Sequence, residues 1–122
     1  MINLKSPEEI KRMRAAALIA AAAMDKVIAA VKDGVTTEDL DEIAYHYIVG
    51  RGAKPSFKGY GGFPGTACIS VNEQIVHGIP GKRRLHEGDI VSIDLGAYLH
   101  GYHSDMARTV GVGKISAEAE ML

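Results

Sequence analysis

The sequence predicts an α+β fold, with two amphipathic helices packed on a mainly antiparallel β-sheet. Three observations carry this. Helix-capping signals precede two stretches whose apolar residues recur every three or four positions. A Gly- and aromatic-rich stretch then separates them from segments of alternating apolar and polar residues. Finally, "VSIDLGAYLHGYHSDMARTV", residues 91–110, reads as a β-hairpin whose arms each hold an aspartate. With 122 residues, 47% of them hydrophobic, the chain fits one globular domain over residues 1–122 with a modest core.

The first helix opens at Ser6-Pro7-Glu8-Glu9: Ser6 can cap, Pro7 suits the first helical position, and Glu9 completes a capping box. Its apolar stripe is Ile10, Met13, Ala17, Ala20, Met24, Val27 and Val31, and Asp33-Gly34 is the expected stop. Lys11, Arg12 and Arg14 before the Ala15–Met24 run superficially resemble a signal peptide, but the capping chemistry assigns a helix, and the run is too short to span a membrane. Thr36 or Thr37 caps the second helix, Leu40, Ile43 and Tyr47 line it, and Arg51-Gly52 ends it. A loop from Lys54 to Gly65 leads into a strand from Thr66 to Val71. Asn72-Glu73 turns into a short strand, Gln74–His77, which the Gly-Ile-Pro-Gly sequence breaks. The hairpin follows, Ile90–Tyr98 and Tyr102–Val110, turning around Leu99-His100-Gly101.

Aspartate is depleted in strands, so two in one hairpin require a reason. A two-residue His100-Gly101 loop makes paired residue numbers sum to an odd value, which places Asp94 and Asp105 on one face as opposite or diagonal neighbours. Their Cβ atoms would then lie roughly 5–8 Å apart. Val91, Ile93, Leu95, Tyr102, Met106 and Val110 take the core face, and Ser92, Gly96, His103, Ala107 and Thr109 join the aspartates. On geometry alone the favoured reading is the solvated side of a half-covered sheet, with Arg108 or nearby lysines moderating the repulsion. The competing reading is a divalent cation between the carboxylates, for which oxygen ligands suit Mg, Mn or Fe. Taken singly, His77 is an ordinary loop histidine or a group at a cleft rim, and Phe57, Tyr60, Phe63 and Cys68 are core or the lining of an apolar pocket.

Charge and cysteine content narrow the function classes. Fourteen Lys and Arg against fifteen Asp and Glu give a net charge of -1, which offers no polybasic face to nucleic acid or an anionic membrane. The single cysteine, Cys68, cannot form an internal disulfide, and a reducing cytoplasmic setting follows.

The stretches "SPEEIKRMRAA", "GVTTEDLD", "PSFKGYGGFPGTACISVNEQIVHGIP" and "GDIVSIDLGAYLHGYHSDMARTV" together resemble the N-terminal half of type I methionine aminopeptidases, dinuclear metalloenzymes with the pita-bread fold. That resemblance reverses the preference for a solvated sheet. It implies that Asp94 and Asp105 are metal ligands, with Asp105 bridging two divalent ions of the Co, Mn, Fe or Zn class. His77 would hydrogen-bond the substrate near the scissile amide, while Phe57, Tyr60, Phe63 and Cys68 would line the pocket for the methionine side chain. Asn72 would lie near a monovalent cation. The implied reaction is removal of the initiator methionine from nascent polypeptides by a metal-bridging hydroxide, with the ribosome surface as a partner and a monomeric full-length form.

The family takes a histidine and two glutamates from a C-terminal half that would begin near "ISAEAEML", and Glu118 and Glu120 are not assigned to those roles. The expectation is therefore a truncated chain with an incomplete metal shell, inactive alone. Two alternatives stand beside it: a proline-specific peptidase of the same fold, and a non-catalytic peptide-binding or assembly module built on the half-fold.

Overall fold

Local capping starts both helices, and tertiary contacts end the first. The computed structural model describes residues 6–58, 64–72 and 78–113; the expected strand at 74–77, and with it His77, lies outside them, as do Tyr60 and Phe63. Helix α1 spans Pro7–Ala29, with Ser6 Oγ accepting from the Glu9 N–H and the Glu9 carboxylate accepting from the Ser6 N–H, both at 3.1 Å. It stops short of Asp33-Gly34 because the chain is captured elsewhere: the Gly34 N–H donates to Leu85 O at 2.8 Å and the Leu85 N–H to Val35 O at 2.7 Å. The buried stripe also differs from the expected one. Ala16, Ala20, Ala23, Met24 and Val27 face the core, whereas Ile10 and Met13 remain 45% and 41% exposed. Alanines on the packed side let the helix approach the sheet closely.

Helix α2 spans Thr37–Gly50 behind a second capping box, Thr36 with Asp39. Thr36 is the cap. Thr37 is buried, and its Oγ1 accepts from the Gly81 N–H at 2.8 Å while donating to Gly81 O at 3.1 Å. Leu40, Ala44 and Ile48 are buried, with Ile43 and Tyr47 packed at the edge.

The described strands are β1 Lys54–Pro55, β2 Ala67–Val71, β3 Ile90–Leu99 and β4 Tyr102–Gly111, all paired antiparallel. Residues read as the start of a loop thus form a short strand, since Lys54 and Pro55 pair with Tyr98 and Ala97. Strand β3 is central: β4 covers one edge along its whole length, and β2 and β1 share the other. Ala67, Ile69, Val71, Val91, Ile93, Leu95 and Ala97 are buried in one core with the helices. Turning Val91, Ile93 and Leu95 to solvent would forfeit roughly 1.5–3 kcal/mol each, so the register is held and Asp94 is forced to the opposite face.

The segment from Gly78 to Leu85 docks against β2 and α2. Gly78 O accepts from the Ile69 N–H at 2.7 Å, and Gly78 itself has φ +60° with a notional Cβ only 3.0 Å from Ile69 N, so a side chain is excluded. Among the described residues no helix is long and apolar enough to cross a membrane.

Candidate metal centre

The turn between β3 and β4 decides which side chains meet. His100 and Gly101 both take positive φ, 52° and 87°, as a two-residue turn of the twist-matching kind requires. Leu99 therefore pairs with Tyr102, Asp94 with Ala107 and Gly96 with Asp105. The two aspartates share a face as diagonal neighbours, as the parity of their numbers predicts.

The causes that shift the Asp94 carboxyl are burial and Asp105, with no cation among them. Arg108 pairs with Ile93, so it starts from the other face, yet it borders the same cavity as Asp94. Asp94 Oδ1 is sealed from solvent without a hydrogen-bond partner. Burial, then hydrogen bonding and charge from Asp105, push the Asp94 carboxyl from its usual 3.8 up to about 6. An orphaned buried carboxylate oxygen beside a second carboxylate is a donor set that suits a divalent cation, which would satisfy the oxygen and remove the repulsion. Asp94 and Asp105 are a partial set, because no group of three or more His, Cys, Asp or Glu side chains gathers among the described residues.

Strand β2 adds Cys68, directly opposite Asp94 and half-buried. Burial first, then the negative charge of Asp94, Asp105 and Asp41, push its thiol up, so it stays protonated and apolar. Two open cavities flank the carboxylates. One, of about 400 Å³, is bordered by Cys68, Ser70, Ser92 and Asp94 among others. The other, of about 340 Å³, is bordered by Ser56, Phe57, His103, Ser104 and Asp105. The structure thus brings Phe57 and Cys68, both expected as pocket wall, to the aspartate face beside different carboxylates.

Asn72 stands at the end of β2 with φ 56°. Its Oδ1 accepts from the Ile90 N–H at 2.8 Å and its Nδ2 donates to Asp89 Oδ1 at 3.0 Å, so the side chain braces the turn. Sequence reasoning missed Asp41. One oxygen of this half-buried carboxylate accepts both the Thr66 and Ala67 N–H groups at 2.7 Å, fixing where β2 begins and hence where Cys68 sits. Its only sequence signal is a position one helical turn after Thr37, which grips the 78–81 segment from the same helix face.

Comparisons with known proteins give the family and the fold. A model of metallopeptidase family M24 matches residues 11–122. The chain is 50% identical over 121 residues to a methionine aminopeptidase of Borreliella burgdorferi, covering 99% of this chain and 48% of that protein. The crystal structure of a methionine aminopeptidase from Thermotoga maritima superposes with a TM-score of 0.92 at 39% identity, covering 100% of this chain and 49% of that one. A prolidase from Pyrococcus furiosus is more distant, with a TM-score of 0.82 at 28% identity over 97% of this chain and 34% of its own. The chain spans about half the length of the curated relatives it matches.

Proposed function

Because the chain belongs to metallopeptidase family M24, we propose that it carries part of the divalent-metal site of an enzyme that removes the N-terminal methionine from nascent polypeptides. The observation that carries this reading is the Asp94–Asp105 pair on one hairpin face, with an orphaned Asp94 Oδ1 and with Phe57 and Cys68 alongside. The methionine specificity is supported by what the relatives are named, and the weaker likeness to a prolidase favours methionine over proline substrates.

Asp94 and Asp105 would hold the metal, with further ligands from outside the described residues. When bound, divalent ions supply a Lewis acid for the scissile carbonyl and acidify a water at neutral pH. The chain's own residues prepare for this in two ways. The carboxylates must shed the proton that Asp94 retains up to about pH 6, so cation loading is favoured above that pH. Phe57 beside Asp105 and Cys68 beside Asp94 are apolar or polarizable groups suited to a thioether side chain, and Tyr60 and Phe63 would serve the same pocket by the family resemblance. His77 would hydrogen-bond the substrate near the reacting amide. A monovalent cation at Asn72 would use its backbone carbonyl or the lone pair its amide oxygen keeps after accepting from Ile90. A cytoplasmic location, action at the ribosome surface and a monomeric form belong to the same proposal.

The test is metal-dependent release of methionine from Met-Ala peptides, with an Xaa-Pro peptide as comparison, by the protein expressed from its own locus and isolated from its own cells. Asp105→Asn should lower that release by about 100-fold or more and weaken Mn²⁺ binding measured by titration calorimetry. Undiminished release by the variant would sink the reading, and preference for the Xaa-Pro peptide would transfer it to the proline-specific class.

A further inference from the structure

The aspartate face holds a contact that the metal pair does not require. Ser56 continues the register of β1, its N–H donating to Gly96 O at 3.0 Å, and Gly96 pairs in turn with Asp105. Ser56, Gly96 and Asp105 therefore form one row across the sheet. Gly96 in the middle has no side chain. A Cβ there would lie 3.0 Å from both Ser56 Cβ and Ser56 Oγ, so its absence lets Ser56 lie over the strand. The Ser56 hydroxyl crosses that gap to β4, where it is hydrogen-bonded to His103 Nδ1 at 2.9 Å. The His103 ring is held in turn against Tyr98, with centroids 4.4 Å apart. The residue after Ser56 is Phe57, and Ser56, Phe57, His103 and Asp105 border the same cavity.

We infer that Ser56 is a positioning residue: its bonds to Gly96 and His103 clasp the Phe57 wall to the strand that carries Asp105, and so fix the width of the apolar cavity beside the metal ligands. This inference rests on the proposed function for the identity of the cavity's occupant, an apolar N-terminal side chain. The physical reason for a clasp is that Phe57 lies beyond the two-residue strand β1, whose own pairing with β3 is too short to hold a wall in place. Without it, the place of Phe57 beside Asp105 would rest on the short β1 pairing alone, and the fit of a side chain would be lost more than the chemistry.

The experiment separates the clasp from the activity. The sequence has no tryptophan, so Phe57→Trp makes a single indole in the wall itself, excited selectively over the tyrosines. In that background Ser56→Ala should increase acrylamide quenching about twofold and lower the fluorescence anisotropy, whereas His103→Asn, which can keep a hydrogen bond to Ser56, should leave both near the parent values. Unchanged quenching in Ser56→Ala would overturn the clasp. Should Phe57→Trp fail to fold, the ¹⁵N signal of His103 Nδ1 in the otherwise native chain must move on Ser56→Ala, and an unmoved signal would count equally against it. In the peptidase assay Ser56→Ala should raise KM for Met-Ala about fivefold with kcat unchanged. A fall in kcat at constant KM would assign Ser56 to the chemistry instead. If no methionine is released by the parent protein, the proposed function fails while the fluorescence and ¹⁵N readouts still judge the clasp.

Discussion

Asp94→Asn should stabilise the metal-free protein at neutral pH, although it removes a buried polar group's charge. The folded carboxyl is raised from 3.8 to about 6, by burial first and by Asp105 second. A raised carboxyl pKa means that between those values the folded state keeps a proton the unfolded chain has released. Stability from this group therefore falls as pH climbs through the window and the penalty is complete above about pH 6. Each tenfold change in proton affinity is worth about 1.4 kcal/mol, which sets a ceiling of about 3 kcal/mol. Partial contact with solvent screens the interaction and leaves about 1–2 kcal/mol. The assay is urea unfolding followed by circular dichroism in chelator-treated buffer, near pH 7.5 and near pH 4.5. The variant should be more stable at the higher pH, with its advantage shrinking at the lower. Added Mn²⁺ should stabilise the parent and leave the variant almost unmoved. A variant less stable than the parent near neutrality, or a difference that ignores pH, would refute the reasoning.

Two further substitutions test the supports of the site. Asp41→Ala orphans the Thr66 and Ala67 N–H groups that its one oxygen accepts, so it should cost about 2–4 kcal/mol in urea unfolding; a loss under about 0.5 kcal/mol would show that water replaces it freely. Gly78→Ala places a Cβ 3.0 Å from Ile69 N at φ +60° and should destabilise by about 1–3 kcal/mol, detectable as a lowered melting temperature, whereas a neutral result would contradict the packing.

Local chemistry was enough for much of this protein. The capping box at Ser6 is complete within four residues and legible without knowing what the helix packs on, whereas at the second helix Thr36 and Thr37 are equal candidates in sequence, and only the bonds of Thr37 to Gly81 leave Thr36 as the cap. The hairpin is legible for a similar reason: a two-residue turn sets the register, and the register's parity alone puts Asp94 and Asp105 on one face. Resemblance then gave those aspartates a purpose that parity could not, since geometry by itself favoured a solvated sheet.

What waited for the tertiary structure depends on partners far apart in the chain. The end of α1 at Ala29 is set by Leu85, more than fifty residues on, and no local signal announces it. Which apolar residues of α1 are buried follows from how closely its alanines approach the sheet, so Ile10 and Met13 fit the helical period and still face solvent. Lys54 and Pro55 read as loop because two residues carry no periodicity; only the free edge of β3 makes them a strand. Asp41 and Ser56 are ordinary polar residues in sequence and become supports of the site only where α2 meets β2 and where Gly96 leaves a gap to His103. Short-range hydrogen bonds and the period-two pleat thus determine the elements and the face of the carboxylates, while long-range packing decides their lengths, the orphaned oxygen of Asp94 and the clasp beside it.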